Sequence, residues 1–449
     1  MTEIRVIWSG TVQAANLKAD DDGNDSAHPT LIELSPLDLS PLLRGSIQKG
    51  LLFRIPPSHD KSSVITNLRQ SLSSTLDFFP PLAGRFAVVQ HHDGGDSSSS
   101  FFIDCNNAGA LFVEAVAPDT TVADILEPTY VPHVVSSFFP LNGLKNYEGT
   151  TNPLLGVQVT ELNDGIFLGF TMNHAAVDGV SFWHFINSWS EISRGSNQIS
   201  KPPLLQRWFP PDITRPIRIP FTIPPREQQN LAALSEQRLF HFPKEKIAEI
   251  KVKANTEANT DTVSSLQALL SHIWRAVIRN QSVDPEKEMS CLLGIGTRGK
   301  ITRPPLPDNY FGNAVQLAGR VTMKAGEVVD EGGLGKVAWN LKKMVSSNTE
   351  EKLRSRVDSF LKEPRLQTLS EVLDDALLIS SSPRFDVYGN DFGWGKPVGV
   401  RSGAGNKRFG KVTLFAGEEE GSIDIEACLS LPLLEAMGND SEFMAFVAH

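Results

Sequence analysis

The stretch that decides the fold reads VQVTELNDGIFLGFTMNHAAVDGVSFWHFINSWSEI over residues 157–192. Val157 and Val159 alternate with polar residues, Asn-Asp-Gly follows at residues 163–165, and the run from Ile166 to Met172 is mainly apolar. This pattern predicts a β-hairpin whose second strand is buried. Large apolar residues then recur on one helical stripe: Phe182, Phe185, Ile186, Trp189 and Ile192. A buried strand, a polar loop and an amphipathic helix are therefore predicted in that order.

A proline-rich segment interrupts the alternation of strands and helices predicted on both sides of it. Its prolines stand at the following positions: Pro202, Pro203, Pro210, Pro211, Pro216, Pro220, Pro224 and Pro225. Proline at this density excludes helix interiors and favours an extended chain. Because single hydrophobic cores stop growing near about 250–300 residues, the 449 residues predict two α/β domains. We place these domains at residues 1–200 and 233–449, with residues 201–232 as a crossover linker.

The composition is that of a globular protein with an acidic balance. The formal net charge is -10 and the pI is about 5.5, whereas nucleic acids and anionic membranes attract clustered Lys and Arg. Neither is therefore expected as a partner. The sequence contains no run of 18 apolar residues, so no membrane-spanning helix is predicted. Residues 1–16 lack the apolar core of a secretory signal. The three cysteines, Cys105, Cys291 and Cys428, form neither a disulfide framework nor a zinc motif. A monomer in the reducing cytoplasm is the expectation.

Two polar tracts are predicted to be loops because they cannot bury enough apolar surface to order themselves. The first spans residues 19–28 and is rich in Asp, and the second spans residues 91–100 and reads HHDGGDSSSS. His91 and His92 could instead bind a metal, but the composition favours a solvated loop.

The loop after the predicted hairpin holds the candidate catalytic residue, His174. A histidine at a strand end lies where polar chemistry can meet a cleft, and its ordinary pKa of about 6.5 suits a general base. Two other interpretations stay open. His174 could be a hydrogen-bonded core residue beside a helix-capping Asp178, or it could form a metal site with Asp178 and His184. Nothing else in the sequence completes a metal ligand set, so no metal is expected.

Two further motifs lie downstream of this loop. Residues 309–313 read NYFGN and residues 391–396 read DFGWGK, with glycines flanking aromatic residues as in tight turns against a buried ring. Together with the HxxxD pattern of His174 and Asp178, they resemble the plant BAHD acyltransferase family. That family is recognised by an HxxxD motif in mid-chain and a DFGWG motif near the carboxyl end. PLAGR at residues 81–85 is also similar to a family motif, and residues 142–149 resemble poorly characterised acetyltransferase-like members.

The resemblance implies both a fold and a reaction. The fold would consist of two chloramphenicol-acetyltransferase-like domains joined by a long crossover, with an active-site channel between them. The reaction would transfer an acyl group from a coenzyme A thioester to a hydroxyl or amine of a small specialised metabolite. Coenzyme A thioester would be a co-substrate, and no permanently bound cofactor is implied. The alternative is a repurposed member that catalyses elimination or cyclisation of a preformed conjugate without acyl-CoA.

The resemblance also implies roles for individual residues. His174 would be the general base in mid-channel, and Asp178 would point away from the channel and pair with an arginine. The candidate partner is Arg298, in GTRGK at residues 296–300. The DFGWG loop would be structural, supporting the coenzyme-binding half without joining the reaction. Its residues here are Asp391, Phe392, Gly393, Trp394 and Gly395.

Four serines complete the set of predicted site residues. A hydroxyl-bearing residue and a tryptophan often precede the DFGWG loop in the family. Ser380 keeps the hydroxyl, which could help to hold an oxyanion, whereas Ser382 replaces the tryptophan and would alter the acyl pocket. Residues 380–382 could equally be a polar turn. Ser264 and Ser265 open a predicted helix and could bind coenzyme A phosphates, although helix capping explains them as well.

Overall fold

The computed structural model describes residues 4–16, 30–56, 60–93, 96–223, 235–373, 376–405, 407 and 409–448. The strands in these residues are as follows: β1 (Arg5–Val12), β2 (Leu31–Glu33), β3 (Ile47–Arg54), β4 (Arg85–Asp93), β5 (Asp96–Asp104), β6 (Ala110–Ala117), β7 (Leu155–Leu162), β8 (Gly165–Met172), β9 (Ser235–Phe242), β10 (Glu288–Gly296), β11 (Val315–Lys324), β12 (Leu377–Ser380), β13 (Gly399–Ser402), β14 (Lys411–Ala416) and β15 (Ile423–Ser430). The α-helices are as follows: α1 (Pro36–Leu39), α2 (Lys61–Leu76), α3 (Val122–Leu126), α4 (Gly179–Ser193), α5 (Lys244–Glu257), α6 (Ser265–Arg279), α7 (Ala325–Val329), α8 (Gly333–Ser347), α9 (Glu350–Lys362), α10 (Leu369–Leu373), α11 (Leu431–Asn439) and α12 (Ser441–Met444). Short 3₁₀ helices occupy Pro80–Ala83, His133–Phe138 and Asn146–Thr150.

The predicted hairpin and helix around His174 are present. Strands β7 and β8 pair antiparallel across Asn163 and Asp164, and every residue of β8 is buried. Helix α4 begins directly after Asp178 and buries the predicted apolar stripe. Nearly every residue of β7 is buried, so both faces of this strand are covered, which the alternation of apolar and polar residues does not reveal.

The first large sheet has six strands in the order β1-β6-β7-β8-β3-β13. Five of these strands come from the amino-terminal part of the chain, and β13 comes from the carboxyl-terminal part. Gly399 of β13 pairs with Leu52 of β3, and Ser402 pairs with Lys49. Helices α2 and α4 pack together beside this sheet. Its edge is therefore completed by a segment that is remote in sequence.

The second large sheet also has six strands, in the order β11-β10-β12-β14-β15-β9. Helices α5, α6 and α8 pack against one another beside it. Leu269, Ile273, Trp274 and Val277 place the apolar face of α6 in this second core. Each sheet with its helices thus forms its own hydrophobic core, and this is the layered architecture that the α/β pattern predicts.

The interpretation of residues 91–100 as a loop is wrong. Strands β4 and β5 continue into this tract, with His91 opposite Ser98 and His92 opposite Ser97, and they form a small sheet with β2. Ser99 exchanges backbone hydrogen bonds with Ile219, and the buried Ser100 hydroxyl donates to the Ile217 carbonyl at 2.8 Å. The polar tract is ordered by the pairing of β4 with β5 and by contacts with the distant proline-rich segment. The other predicted loop, residues 19–28, lies outside the described residues.

The proline-rich segment is extended where it is described. Residues 201–223 contain isolated bridges but no helix or strand, and Ile217 and Ile219 are buried in the first core. Residues 224–232 lie outside the described part of the chain, so the boundaries of the domains and the linker stay predictions. Among the described helices, none is both long and apolar enough to cross a membrane.

Candidate active site

His174 lies at the end of the buried strand β8, in the turn that leads into α4. Its backbone N–H donates to Asn146 Oδ1 at 2.8 Å, and its carbonyl accepts from Asn313 Nδ2 at 3.0 Å. The ring Nδ1 lies 3.1 Å from the Val177 carbonyl oxygen. A carbonyl can only accept, so Nδ1 carries the proton, and a neutral imidazole then has its lone pair on Nε2. The turn therefore fixes the tautomer of the ring.

Burial lowers the pKa of His174 below the ordinary value of 6.5. The hydrogen bond and the Asp178 carboxylate oppose this effect, whereas the cations of Arg44 and Lys411 add to it. Loss of water disfavours the charged imidazolium, so the ring is neutral at pH 7. A neutral imidazole with a free lone pair is the form that can accept a proton.

Asp178 lies at the amino end of α4, fully buried. Its side chain accepts from the backbone N–H of Ser181 and of Ala314, each at 2.9 Å, and it forms a bidentate ion pair with Arg298. Burial alone would raise the pKa of Asp178, but the Arg298 guanidinium and these hydrogen bonds lower it overall. Within the described residues no hydrogen bond joins Asp178 to the His174 ring, so the carboxylate does not orient the imidazole directly.

A second buried ion pair lies beside the same turn. Arg207 Nε is 3.3 Å from Asp38 Oδ2, and both side chains are buried. Arg207 also donates to the carbonyls of Ala176 and Phe311. Sequence analysis missed this pair, because Asp38 precedes β3 and Arg207 lies in the proline-rich segment. No local sequence pattern connects the two residues.

The two ion pairs enclose the NYFGN segment. Arg298 donates to the carbonyls of Tyr310 and Gly312 on one side. On the other side, Asp38 accepts from the backbone N–H of Asn313 at 2.9 Å. Asn313 also donates to the His174 carbonyl. The NYFGN segment therefore connects both ion pairs to the turn that carries His174. The motif thus acts as a brace from the second half of the chain.

A cavity of about 510 Å³ opens beside His174. Residues of both large sheets line it, and so do Ser380 and Ser382 from the second half of the chain. Four cationic side chains also line it: Arg44, Lys49, Arg384 and Lys411. Another cavity of about 540 Å³ lies between residues 204–209 and residues 304–307, and none of the predicted catalytic residues lines it. Three of the predicted site residues, His174, Ser380 and Ser382, therefore line the same cavity.

The two serines before the DFGWG segment both line this cavity. Ser380 ends β12, and among the described residues its hydroxyl makes one long contact, of 3.5 Å, with the Val412 carbonyl. The Ser382 hydroxyl accepts from the Arg384 backbone N–H at 3.2 Å. The Ser380 hydroxyl is thus available to a bound molecule, and Ser382 presents a small side chain to the cavity.

Ser264 and Ser265 lie at the start of α6. Ser264 caps this helix in a reciprocal arrangement with Gln267: its hydroxyl accepts from the Gln267 N–H at 3.2 Å, and its N–H donates to Gln267 Oε1 at 2.9 Å. Leu266 and Leu270 of α6 line the cavity, so the helix start lies near the cavity. Capping accounts for the Ser264 hydroxyl.

The DFGWG segment packs against the first core. Phe392 and Trp394 stack with ring centroids 5.8 Å apart, and both rings meet Phe53 of β3 edge-on. Asp391 Oδ1 accepts from the N–H of Gly393 and of Gly395 at 2.8 and 3.0 Å. These two glycines have φ values of 110° and 122°, which other residues rarely adopt. The segment contacts the first core rather than the half that holds Ser264 and Ser265.

The three residues considered as a possible metal site, His174, Asp178 and His184, make other contacts. The His184 Nε2 lies 2.6 Å from the Lys201 carbonyl, His174 Nδ1 faces Val177, and Asp178 pairs with Arg298. Across the described part of the chain, no group of three His, Cys, Asp or Glu side chains is placed to hold a metal ion.

Comparison with known proteins gives consistent matches over the whole chain. The model of a family described as the Transferase family matches residues 24–444. An uncharacterized acetyltransferase of Arabidopsis thaliana is 39% identical over 455 residues, with 99% of each chain covered. BAHD acyltransferase DCR of the same plant is 32% identical, with 92% of this chain and 88% of the relative covered.

Two solved structures are similar in fold. Vinorine synthase has a TM-score of 0.71 at 19% identity, with 99% of this chain and 98% of that chain covered. F. graminearum TRI101, crystallised with coenzyme A and deoxynivalenol, has a TM-score of 0.72 at 17% identity, with 93% and 99% covered. The predicted fold class, two chloramphenicol-acetyltransferase-like α/β domains, is confirmed by this likeness.

Proposed function

Because the chain belongs to the BAHD acyltransferase family, we propose that it transfers an acyl group from a coenzyme A thioester to a hydroxyl or amine of a small molecule, with His174 as the general base. As a member of this family, the chain is an acyltransferase. Coenzyme A as co-substrate is supported by its presence in the TRI101 crystal structure. A relative from Avena sativa named for a hydroxycinnamoyl-CoA donor supports it further, at 29% identity.

The observation that carries the proposal is the tautomer of His174. Its Nδ1–H is held by the Val177 carbonyl at 3.1 Å, its pKa is lowered by burial, and the residue lines a cavity large enough for a small substrate. A lone pair on Nε2 is the group that removes a proton from an acceptor hydroxyl or amine.

The reaction then follows as direct transfer between two bound substrates. Nε2 takes the proton while the acceptor oxygen or nitrogen attacks the thioester carbonyl and forms the new bond. The carbonyl electrons move onto oxygen, where the Ser380 hydroxyl is the proposed hydrogen-bond donor. When the carbonyl reforms, the carbon–sulfur bond breaks and the imidazolium returns its proton to the leaving thiolate. No bond to the protein is formed at any step.

The other predicted residues support this centre. In the proposal, Asp178 and Arg298 position the turn that carries His174, and the segment with Asp391, Gly393, Trp394 and Gly395 holds the cavity wall. Ser382 shapes the acyl pocket. Ser264 and Ser265 place their helix start beside the phosphates of coenzyme A, where free N–H groups favour anions. We further propose the cytoplasm as the location and a monomer as the working unit.

The proposal is tested by replacing His174 with alanine. We expect turnover with acyl-CoA to fall by about 10²–10⁴-fold, as on loss of a general base, with the melting temperature unchanged. His133→Ala is the matched control, because the His133 side chain is 85% exposed and does not line the cavity. A folded His174→Ala enzyme with full turnover would refute the assignment.

The same assay separates acyl transfer from the elimination or cyclisation of a preformed conjugate. Acyl transfer requires an acyl-CoA, whose sulfur appears as free thiol in a one-to-one ratio with product. Product formed without acyl-CoA, and without thiol release, would establish the alternative reaction and exclude the transfer proposed here.

A further inference from the structure

Four cationic side chains line the cavity together with His174: the exposed Arg384 and three less exposed ones, Arg44, Lys49 and Lys411. Lys49 lies on β3 and pairs with Ser402 of β13 in the first sheet. Lys411 opens β14 in the second sheet, where Thr413 pairs with Glu426 of β15. Positive charge therefore enters the cavity from both sheets, at the place where β13 joins the two halves of the chain. We call the three less exposed side chains, Arg44, Lys49 and Lys411, the cation cluster.

The cation cluster lacks acceptors for its hydrogen bonds. Lys49 is only 8% exposed, and its ammonium lies 4.6 Å from the centre of the Phe415 ring. Among the described residues, no oxygen accepts a hydrogen bond from the ammonium of Lys49 or Lys411, and Arg44 Nε is buried without a partner. Cations held away from acceptors are costly, so an anion bound in the cavity would stabilise the cluster.

The nearby carboxylate of Glu426 supplies only part of this compensation: it raises the pKa of Lys49 and Lys411, but its direct contacts are with other groups. It lies 3.1 Å from Lys407 Nζ, accepts from the Ser402 N–H at 3.0 Å and also accepts from the Ser402 hydroxyl. Although burial alone would raise the pKa of Glu426, Lys407 and the other contacts lower it to about 2. Its negative charge is thus fixed, and Lys407 is its direct ion-pair partner. The positive charges of Lys49, Lys411 and Arg44 therefore exceed the negative charge that Glu426 can offer them.

Burial and the neighbouring cations disfavour the ammonium form of both lysines. Burial lowers the pKa of Lys49 well below its ordinary value and that of Lys411 to about 8. The charged and titratable groups that face these two lysines are Lys407, Glu426 and Cys428, and Arg44 and Lys411 face His174. A bound anion would reverse the effect, because a nearby negative charge favours the ammonium form.

We propose that the cation cluster binds a carboxylate group of the substrate while the acyl transfer takes place at His174. The inference rests on the proposed function and adds a substrate class, namely a small organic acid. Two ammonium groups and a guanidinium offer the charged hydrogen bonds that a carboxylate accepts best. The carboxylate belongs either to the acceptor or to a dicarboxylic acyl donor, since both occupy the cavity during the reaction.

Direct binding tests the site without requiring turnover. The probes are 4-nitrobenzoate and its neutral analogue 4-nitrobenzamide, titrated calorimetrically into the full chain near the pKa of Lys411. We expect the carboxylate to bind at least about tenfold more tightly than the amide, as hydrogen bonds to charged groups predict. We also expect proton uptake on binding of the carboxylate, measured from the heats in two buffers of different ionisation enthalpy. Equal affinities, or no carboxylate binding up to its solubility limit, would overturn the inference.

Variants assign the preference to the cluster. Lys49→Met and Lys411→Met should each abolish the tenfold preference, whereas Lys49→Arg should retain most of it. Lys287→Met is the matched control, because Lys287 is exposed on the surface and should leave the preference intact. The variants are compared only after their melting temperatures show that they are folded. An unchanged preference in both Met variants would overturn the inference.

Kinetics then identify the source of the carboxylate. If it belongs to the acceptor, Lys49→Met raises the KM of an acid acceptor relative to its methyl ester and leaves acetyl-CoA unaffected. If it belongs to the donor, the variant disfavours malonyl-CoA relative to acetyl-CoA. A weaker affinity for coenzyme A alone would mean that the cluster binds phosphate, which contradicts the proposal. His174→Ala should keep the binding preference while losing turnover, so failure of the site and failure of the proposed function can be told apart.

Discussion

At the level of single residues, the environment of His174 determines the pH range in which it can act. Burial disfavours the imidazolium and lowers the pKa below 6.5. The base must be neutral, and it stays neutral to lower pH when its pKa falls. We therefore predict that the acidic limb of the kcat/KM profile has its midpoint below 6.5, measured over a range in which the protein remains folded.

The cation at Lys411 gives this prediction an internal control. Lys411 lowers the pKa of His174, so Lys411→Met should shift the acidic limb towards higher pH. A limb that lies above 6.5 in the unmodified enzyme would indicate that another group titrates, and His174 would then lose its assignment as the base.

A second prediction at this scale concerns Ser382, which lines the cavity where the family commonly has a tryptophan. Ser382→Trp adds volume to the cavity wall, and overpacking typically costs about 1–3 kcal/mol. The variant should therefore disfavour aromatic or long-chain acyl-CoA donors more than acetyl-CoA, measured as the ratio of kcat/KM values. Ser282→Trp, at an exposed position, should leave the ratio unchanged. Equal losses for all donors would show that Ser382 does not touch the acyl group.

At the level of elements, the turn before α4 depends on its ion pair with the second half of the chain. Removing one member of a buried pair costs about 3–5 kcal/mol, because the remaining charge is left without compensation. Asp178→Asn and Arg298→Gln should therefore each lower the melting temperature and the turnover together. The double variant should lose less than the two single losses combined, since the two side chains act as one unit.

The comparison with His174→Ala decides between bracing and a direct catalytic role for Asp178. The alanine variant should lose turnover without losing stability. A stable Asp178→Asn protein with selectively reduced turnover would instead support an aspartate that orients the imidazole, as in a catalytic triad. Additive losses at Asp178 and Arg298 would show that the pair contributes no coupling energy.

The sequence predicts an element well when the residues that stabilise it are close in sequence, and poorly when they are far along the chain. The β7–β8 hairpin and α4 follow from local periodicity, and the extended proline-rich segment follows from the backbone restrictions of proline. The prediction of a loop at residues 91–100 is wrong because β4 and β5 pair through this tract, and because Ser99 and Ser100 are held by Ile219 and Ile217, far along the chain.

The same argument applies within the candidate site. His174 and Asp178 belong to one motif that a reader of the sequence can find. The Asp38–Arg207 pair and the cation cluster join residues from separate segments, and no local pattern connects them. Which lysine meets which carboxylate is decided only when the two sheets come together.

At the level of the whole molecule, the cavity between the two halves supports a reaction without a covalent intermediate. None of the three cysteines lines it, and burial raises the pKa of Cys105 to about 12, which makes the reactive thiolate scarce. We predict that rapid mixing with acyl-CoA in the absence of acceptor gives no burst of free thiol.

A burst of one thiol per active site would contradict this prediction and indicate a nucleophile in the cavity wall. Ser380→Ala would then be the first variant to examine, because Ser380 is a hydroxyl-bearing residue of that wall. If the burst survived in Ser380→Ala, Ser382 would be next.

The pairing of β13 with β3 also has a consequence for how the protein is made. A ribosome delivers the strands β1, β3, β6, β7 and β8 early, yet Leu52 must wait for Gly399 before the open edge of β3 is covered. Until then the nascent chain carries an unpaired edge with the apolar residues of β3 beside it, which is the kind of surface that chaperones protect. The first sheet is therefore completed only after residues 399–402 have been synthesised, and the cavity, which Lys411 and Leu414 also line, forms only after that.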